Sequence, residues 1–285
     1  MTTFIELLMA VLFGIVEGIT EWLPISSTGH LILLEKLTEL TVYADKIQND
    51  AFIEMFNVVI QLGAIMAVVL LFFHKLNPFS PKKDVAQRKD TWNLWLKVIV
   101  AVLPSAVIGV FLDDWMDEHL YNYIVVAIAL VVYGVAFLFL EKGNATRGRQ
   151  IENVYALDYR TALLIGAFQC LALIPGTSRS GSTILGAILL GVGRSAGAEF
   201  SFFLAIPTML GASALKLLGF LKDGVPFTGL SVSVLIIGCV VSFVVSLLVI
   251  KGLMEYVRNH SFKAFGVYRI ILGILVLGYF VITSM

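Results

Sequence analysis

Apolar residues run in long unbroken stretches near 52–73, 94–112, 122–140, 196–221, 227–250 and 264–282, with most charged residues gathered between them. Each stretch approaches the ~20 residues that an α-helix needs to cross the hydrocarbon of a bilayer, so the pattern predicts six membrane-spanning helices. Two further apolar segments are interrupted. The first runs from Phe4 to Val16, meets Glu17 and Glu21, turns at Pro24 and a Ser-Ser-Thr-Gly cluster, and resumes only for Leu31 to Leu34. The second runs from Ala162 to Leu173, breaks at Pro175, Gly176 and a Ser/Arg/Gly cluster, and is apolar again from Ile184 to Val192. Neither arm of either segment is expected to span alone. Broken helices at membrane depth are tolerated where they are buried in protein or line a wet cavity, so both segments read as re-entrant helix-loop-helix hairpins.

The two hairpins resemble each other. A shift of 152 places lays Glu17 on Gln169, Ser26 on Ser178, Thr28 on Ser180 and Gly29 on Gly181. Each half therefore holds one hairpin, which returns to the side it left, followed by three crossings, and the second half must start on the opposite face. The expected fold is an all-α polytopic membrane protein with an inverted-topology repeat. It forms one membrane domain over 1–285, with repeat one at about 1–141, repeat two at about 158–285 and a cytoplasmic linker at about 142–157.

Composition supports the membrane reading: 59% of the 285 residues are hydrophobic and only 14% are charged, far too apolar for a soluble domain. The net charge of zero hides an asymmetry. One set of loops collects Lys75, Lys82, Lys83, Arg88, Lys89, Lys142, Arg147, Arg149, Arg160, Arg194, Lys251, Arg258 and Lys263. The other holds Glu35, Glu39, Asp45, Asp50, Asp113, Asp114, Asp117 and Glu118, with Lys36, Lys46 and Lys222. The positive-inside rule makes the basic side cytoplasmic, with both termini outside and hairpin one entering from outside. No cleavable signal peptide is read at the N-terminus. Trp22, Trp92, Trp95 and Trp115 lie near predicted span ends, where an interfacial belt is expected. Cys170 and Cys239 suit packing rather than a disulfide or zinc site.

Polar and ionisable groups within apolar sequence are costly and carry the functional reading. Glu17 and Glu21, four apart on one helix face, repel unless a cation or a shared proton intervenes, and Mg²⁺ or Ca²⁺ suits such oxygen ligands. Ser26, Ser27, Thr28, Gly29 and His30 stand at the turn into a short helix, whose N-terminus suits an anion. Capping alone would also favour Ser26 and Thr28, whereas Ser27 adds a nucleophile and His30 a proton carrier. In the second hairpin Arg179 cannot shed its proton and matches phosphate geometry, beside the hydroxyls of Ser178, Ser180 and Thr183. An ion pair from Arg179 to Glu17 or Glu21, tying the hairpins together, is the structural alternative. Glu199 and Asn57 are expected as supporting groups, and the glycines near Gly186, Gly191 and Gly193 as helix-packing positions.

The run from Glu17 to His30 and the run from Pro175 to Thr183 together resemble the two signature motifs of the bacterial undecaprenyl pyrophosphate phosphatase family, the bacitracin-resistance type. The stretch from Phe56 to Gly63 is also similar, although some relatives carry a carboxylate where Asn57 stands. The resemblance implies hydrolysis of undecaprenyl diphosphate to the monophosphate carrier and phosphate, in the bacterial cytoplasmic (inner) membrane, and the topology read from loop charge favours an active site open to the outer face. On that reading Ser27 attacks the terminal phosphorus and His30 or Glu21 takes its proton, with His30 as the alternative nucleophile. Ser26, Thr28, Ser178, Arg179, Ser180 and Thr183 would bind phosphate, and Glu17 and Glu21 a divalent cation, Mg²⁺ or Ca²⁺. The expected partners are the lipid substrate and bilayer lipid, with a homodimer left open and no nucleic acid. The rival function is an inverted-repeat transporter or flippase for a phosphorylated lipid carrier or other anion.

Overall fold

The computed structural model of the chain describes residues 2–120, 122–144 and 150–283, without the side chains of Thr2, Asp113, Asp114, Asp117, Glu118, residues 141–144 and Thr283. Of the charges that set the expected orientation, those of Lys142, Arg147, Arg149, Asp113, Asp114, Asp117 and Glu118 lie outside the described side chains. The described chain is helical almost throughout. The helices are α1 (Thr2–Thr20), α2 (Ser27–Leu37), α3 (Lys46–Leu71), α4 (Phe73–Leu76), α5 (Val85–Leu120), α6 (Tyr123–Asn144), α7 (Tyr159–Gln169), α8 (Arg179–Leu189), α9 (Arg194–Lys222), α10 (Gly229–Asn259) and α11 (Lys263–Thr283).

Among the described residues seven helices are long and apolar enough to cross a membrane, not six; the seventh is α1. The charge of Glu17 does not break that helix because its carboxylate is buried against protein rather than facing lipid. Length alone does not make α1 a full crossing beside its neighbour. Its Gly14 and Gly18 stand against Gly238, Ser242 and Val245, so α1 ends level with the middle of α10. In the second half α7 has only 11 residues and passes through a 3₁₀ turn at Cys170–Leu173 before the chain reverses.

The lipid-facing surface is written in helical periodicity. Val232, Ile236, Val240, Val244 and Leu248 form an exposed apolar stripe on α10, a face that only hydrocarbon can solvate without cost. Inward, the helices pack in a scheme that survives exchange of the two halves. α1 lies on α10 as α7 lies on α5, α3 lies on α10 as α9 lies on α5, and α6 pairs with α11 and α3 with α9. The close approaches are made by equivalent glycines: a Cβ on Gly14 would meet the Gly238 carbonyl at 2.7 Å, and one on Gly166 the Ala101 carbonyl at 1.9 Å.

The loops gather at two ends. At one, Lys75 meets Glu199, and Lys83 and Tyr155 bond the Lys75 carbonyl. At the other, Glu6 accepts from the Thr41 backbone and Tyr43 donates to the Pro226 carbonyl. Trp22 departs from the interfacial belt: it is fully buried, edge-on to Phe202 with ring centroids 5.2 Å apart. Cys170 and Cys239 are free thiols.

Candidate active site

Both hairpin turns end in a serine that caps the next helix, and both serines adopt the same unusual backbone. Ser26 has φ 74° and Ser178 has φ 72°, the only non-glycine residues with positive φ among those described. Such a conformation disfavours a side chain and persists where the surroundings compensate it. Here the compensation is local: Ser26 Oγ accepts from the Gly29 N–H at 3.2 Å, and Ser178 Oγ from the Gly181 N–H at 3.1 Å. Each cap orients a helix start whose first N–H groups have no intrahelical acceptor, at Ser27 and Thr28 in α2 and at Arg179 and Ser180 in α8. The turn before α8 also needs Gly176, at φ +88° and against the backbone of Val126.

The tips meet. Glu21 accepts from Arg179 Nη2 at 2.9 Å on one carboxylate oxygen and from Ser27 Oγ at 2.7 Å on the other. Glu21 is 4% and the Arg179 side chain 10% exposed, so this is a buried ion pair with a hydroxyl attached. Arg179 Nη1 donates to the Ser201 carbonyl at 2.7 Å, and the guanidinium lies over the Trp22 ring, 5.7 Å from its centroid. Its Nε is buried and has no acceptor. Ser180 Oγ reaches the carbonyls of Glu21 and Leu23 at 3.1 and 3.2 Å, stapling hairpin two to hairpin one. Thr183 bonds the Ser201 hydroxyl at 2.6 Å and so braces the same strut that holds Arg179.

His30 is held by groups outside this network. Its Nδ1 stands 2.7 Å from the Ser26 carbonyl, which can only accept, so Nδ1 carries the proton and Nε2 takes a hydrogen bond from the Tyr268 hydroxyl at 2.6 Å. The two rings stack at an interplanar angle of 4°. Ser27 therefore has Glu21, not His30, as its hydrogen-bond acceptor. Thr28 is half-buried on the first turn of α2, without a side-chain hydrogen bond among those described.

Glu17 is fully buried and neither of its oxygens has a hydrogen-bond partner. It lies one helical turn before Glu21 and within electrostatic range of Glu21 and Arg179. The orphaned oxygens suit a divalent cation, whose other ligands would be one Glu21 oxygen, phosphate oxygens and water; no group of three or more His, Cys, Asp or Glu gathers among the described residues. In the equivalent residue of the second half, Gln169, the amide nitrogen donates to Ser105 at 2.6 Å and to Thr208 at 3.2 Å, while the oxygen is buried without a partner.

Two expected supporting groups lie elsewhere. Glu199 pairs with Lys75 at 2.5 Å in a cleft at the basic end, and Asn57 donates to Glu35. The sequence reading missed Ser201, Tyr268 and Arg269. Ser201 and Tyr268 carry no local signal. Arg269 does, as an arginine within an apolar run, but that run is long enough to pass for an ordinary span. Arg269 is fully buried and donates to the carbonyls of Pro24 at 3.1 Å, Gly176 at 2.8 Å and Thr177 at 2.9 Å.

Comparison with known proteins covers nearly the whole chain. The family described as "Bacitracin resistance protein BacA" matches residues 10–275. Proteins named undecaprenyl-diphosphatase are 55% identical in Lactiplantibacillus plantarum and 56% identical in Enterococcus faecalis, each over 276 residues, 97% of this chain and 98% of the relative. A third, undecaprenyl-diphosphatase 1 of Clostridioides difficile, is 56% identical over 282 residues, 98% of this chain and 99% of the relative.

Proposed function

Because the chain belongs to the bacitracin resistance protein BacA family, we propose that it hydrolyses undecaprenyl diphosphate to undecaprenyl monophosphate and phosphate, recycling the lipid carrier of cell-wall synthesis. The observation that carries this reading is the Glu21 carboxylate, which joins a hydroxyl of one hairpin to a guanidinium of the other. A carrier that only bound and released an anion would need Arg179 and the helix starts. It has no use for a hydroxyl already hydrogen-bonded to a carboxylate base.

Glu21 takes the Ser27 proton as Oγ attacks the terminal phosphorus. The bond from that phosphorus to the bridging oxygen breaks, and the prenyl monophosphate leaves. Glu21 passes the Ser27 proton to the departing monophosphate; water then attacks the serine phosphate, giving its proton to Glu21, which returns it to Ser27 Oγ as phosphate departs. Arg179, held in place by Ser201, Thr183 and the Trp22 ring, would bind the terminal phosphate. Ser26 and Ser178 keep the two helix starts aimed at one phosphate group, with Thr28 and Ser180 on their first turns. A divalent cation held by Glu17 and Glu21 would neutralise charge on the transferring phosphoryl group. His30 is bonded to the Ser26 carbonyl and Tyr268 rather than to Ser27, so it is not the base of this scheme.

The basic end of the bundle is cytoplasmic on this reading, in the inner membrane, with both termini and the mouth of hairpin one outside. Phosphate release from a soluble short-chain prenyl diphosphate in detergent tests the function. Release that disappears in folded Ser27→Ala and Arg179→Ala supports it. A folded wild type that releases nothing, with or without added Mg²⁺ or Ca²⁺, turns the reading toward transport.

A further inference from the structure

Arg269 is the one charge at this centre for which the reaction scheme has no task. It stands on α11, yet all its strongest bonds go to the two hairpin turns. The shift that lays Ser26 on Ser178 also lays Pro24 on Gly176, and Arg269 donates Nη1 to the Pro24 carbonyl at 3.1 Å and Nη2 to the Gly176 carbonyl at 2.8 Å. One guanidinium thus grips the same atom of both copies of the turn, one nitrogen for each. Further bonds from Nη2 reach the carbonyls of Thr177 at 2.9 Å and Ala129 at 3.5 Å, and the Tyr133 ring covers its face at 5.5 Å.

No carboxylate forms an ion pair with Arg269 among the described residues, although its side chain is fully buried. Carbonyl dipoles solvate a buried cation but leave its charge uncancelled, and such a charge is retained where an anion comes to meet it. The other formal charges of the site are two carboxylates, Glu17 and Glu21, and one cation, Arg179. Arg269 Nη1 lies 3.2 Å from where a Cβ on Gly181 would stand, directly behind the first turn of α8.

We infer that Arg269 is the positioning residue of the phosphate cradle: it locks the two turns in register through equivalent carbonyls and supplies the unpaired positive charge that lets a diphosphate enter. This rests on the hydrolase reading above. Turn register matters because Glu21 and Ser27 belong to one hairpin and Arg179 to the other, and displacement of about 1 Å at such a junction costs on the order of 100-fold in rate.

The full-length protein in detergent tests it, with short-chain prenyl diphosphate as substrate and inorganic pyrophosphate as competing anion. Arg269→Lys keeps the charge and loses the two-handed grip; Arg269→Met loses both. The expectation for Arg269→Lys is a kcat lowered about tenfold or more, with pyrophosphate inhibition within about threefold of wild type. For Arg269→Met it is a kcat/KM lowered at least about 100-fold and inhibition weakened at least about tenfold, per folded molecule isolated by size exclusion. A folded Arg269→Met inhibited as strongly as wild type overturns the charge role, and an unchanged kcat in Arg269→Lys overturns the grip. If the Met variant cannot be recovered folded, the Lys variant still decides: pyrophosphate inhibition lost in it, despite its charge, overturns the proposal. Should wild type itself release no phosphate, the hydrolase reading fails separately, and the thermal stabilisation by pyrophosphate in each variant decides on Arg269.

Discussion

Arg179 donates to Glu21 at 2.9 Å although 158 residues separate them, so the candidate active site is closed by a contact between the two halves of the chain. Replacing either partner leaves a charge buried without its mate, which typically costs roughly 3–5 kcal/mol. Glu21→Gln should lower stability by that order and remove the proton acceptor of Ser27, cutting kcat about 1000-fold or more. Thermal unfolding in detergent and phosphate release measure the two effects separately. A stable Glu21→Gln with near-normal turnover would refute the assignment of Glu21 as base.

Ser27 bonds Glu21, whereas His30 is held by the Ser26 carbonyl and Tyr268. Ser27→Ala is therefore expected to lose about 1000-fold or more in kcat and His30→Asn only about 10- to 100-fold. Rapid quench with terminally labelled substrate gives an independent check. Phosphoserine survives acid and is lost in base, while phosphohistidine does the reverse; an acid-labile, base-stable adduct would transfer the nucleophilic role to His30.

At Ser26 and Ser178 the backbone and the side chain pull in opposite directions. Glycine removes the strain of a positive φ but loses the cap; alanine keeps the strain and loses the cap as well. Ser26→Gly and Ser178→Gly should stay within about 1 kcal/mol of wild type in stability, and the alanine variants should fall about 1–2 kcal/mol below them. Equal stability of the Gly and Ala variants would mean that the turn conformation is not strained.

Glu17 has no partner in its buried position. If it holds a divalent cation, chelation should reduce phosphate release at least about tenfold and added Mg²⁺ or Ca²⁺ should restore it. Glu17→Gln should abolish the metal response. Metal-stimulated turnover that persists in Glu17→Gln would move the cation elsewhere.

Gly166 lies where a methyl group would stand 1.9 Å from the Ala101 carbonyl. Backbone cannot yield as a side chain does, so Gly166→Ala should push α7 from α5 and cost about 3 kcal/mol or more, lowering folded yield in detergent. The same change at Gly211, which has open space around it, serves as the control and should be nearly silent.

Much of this molecule was legible before folding. The long apolar runs announced helices in lipid, because no water there can satisfy an open backbone. The repeated Ser-x-x-Gly cluster announced two helix starts, and Ser26 and Ser178 do cap α2 and α8. What stayed hidden depends on neighbours far along the chain. Trp22 has the sequence context of an interfacial residue, yet Phe202 and Arg179 close over it. Glu199 has the context of a supporting group, yet Lys75 is nearer. Glu17 interrupts an apolar run without breaking its helix, which the run's local pattern did not reveal.

The sequence by itself determined the solvent, the helices, the duplicated polar motif and the chemical types present in it, since periodicity, capping and the cost of charge in hydrocarbon act over a few residues. Only the tertiary structure decided which acceptor the Ser27 proton meets, which way His30 faces, and that Arg269 holds the two turns by matching carbonyls. Hydrogen bonds are short and directional, so their partners are chosen by how helices from both halves pack, and no local spacing encodes that choice.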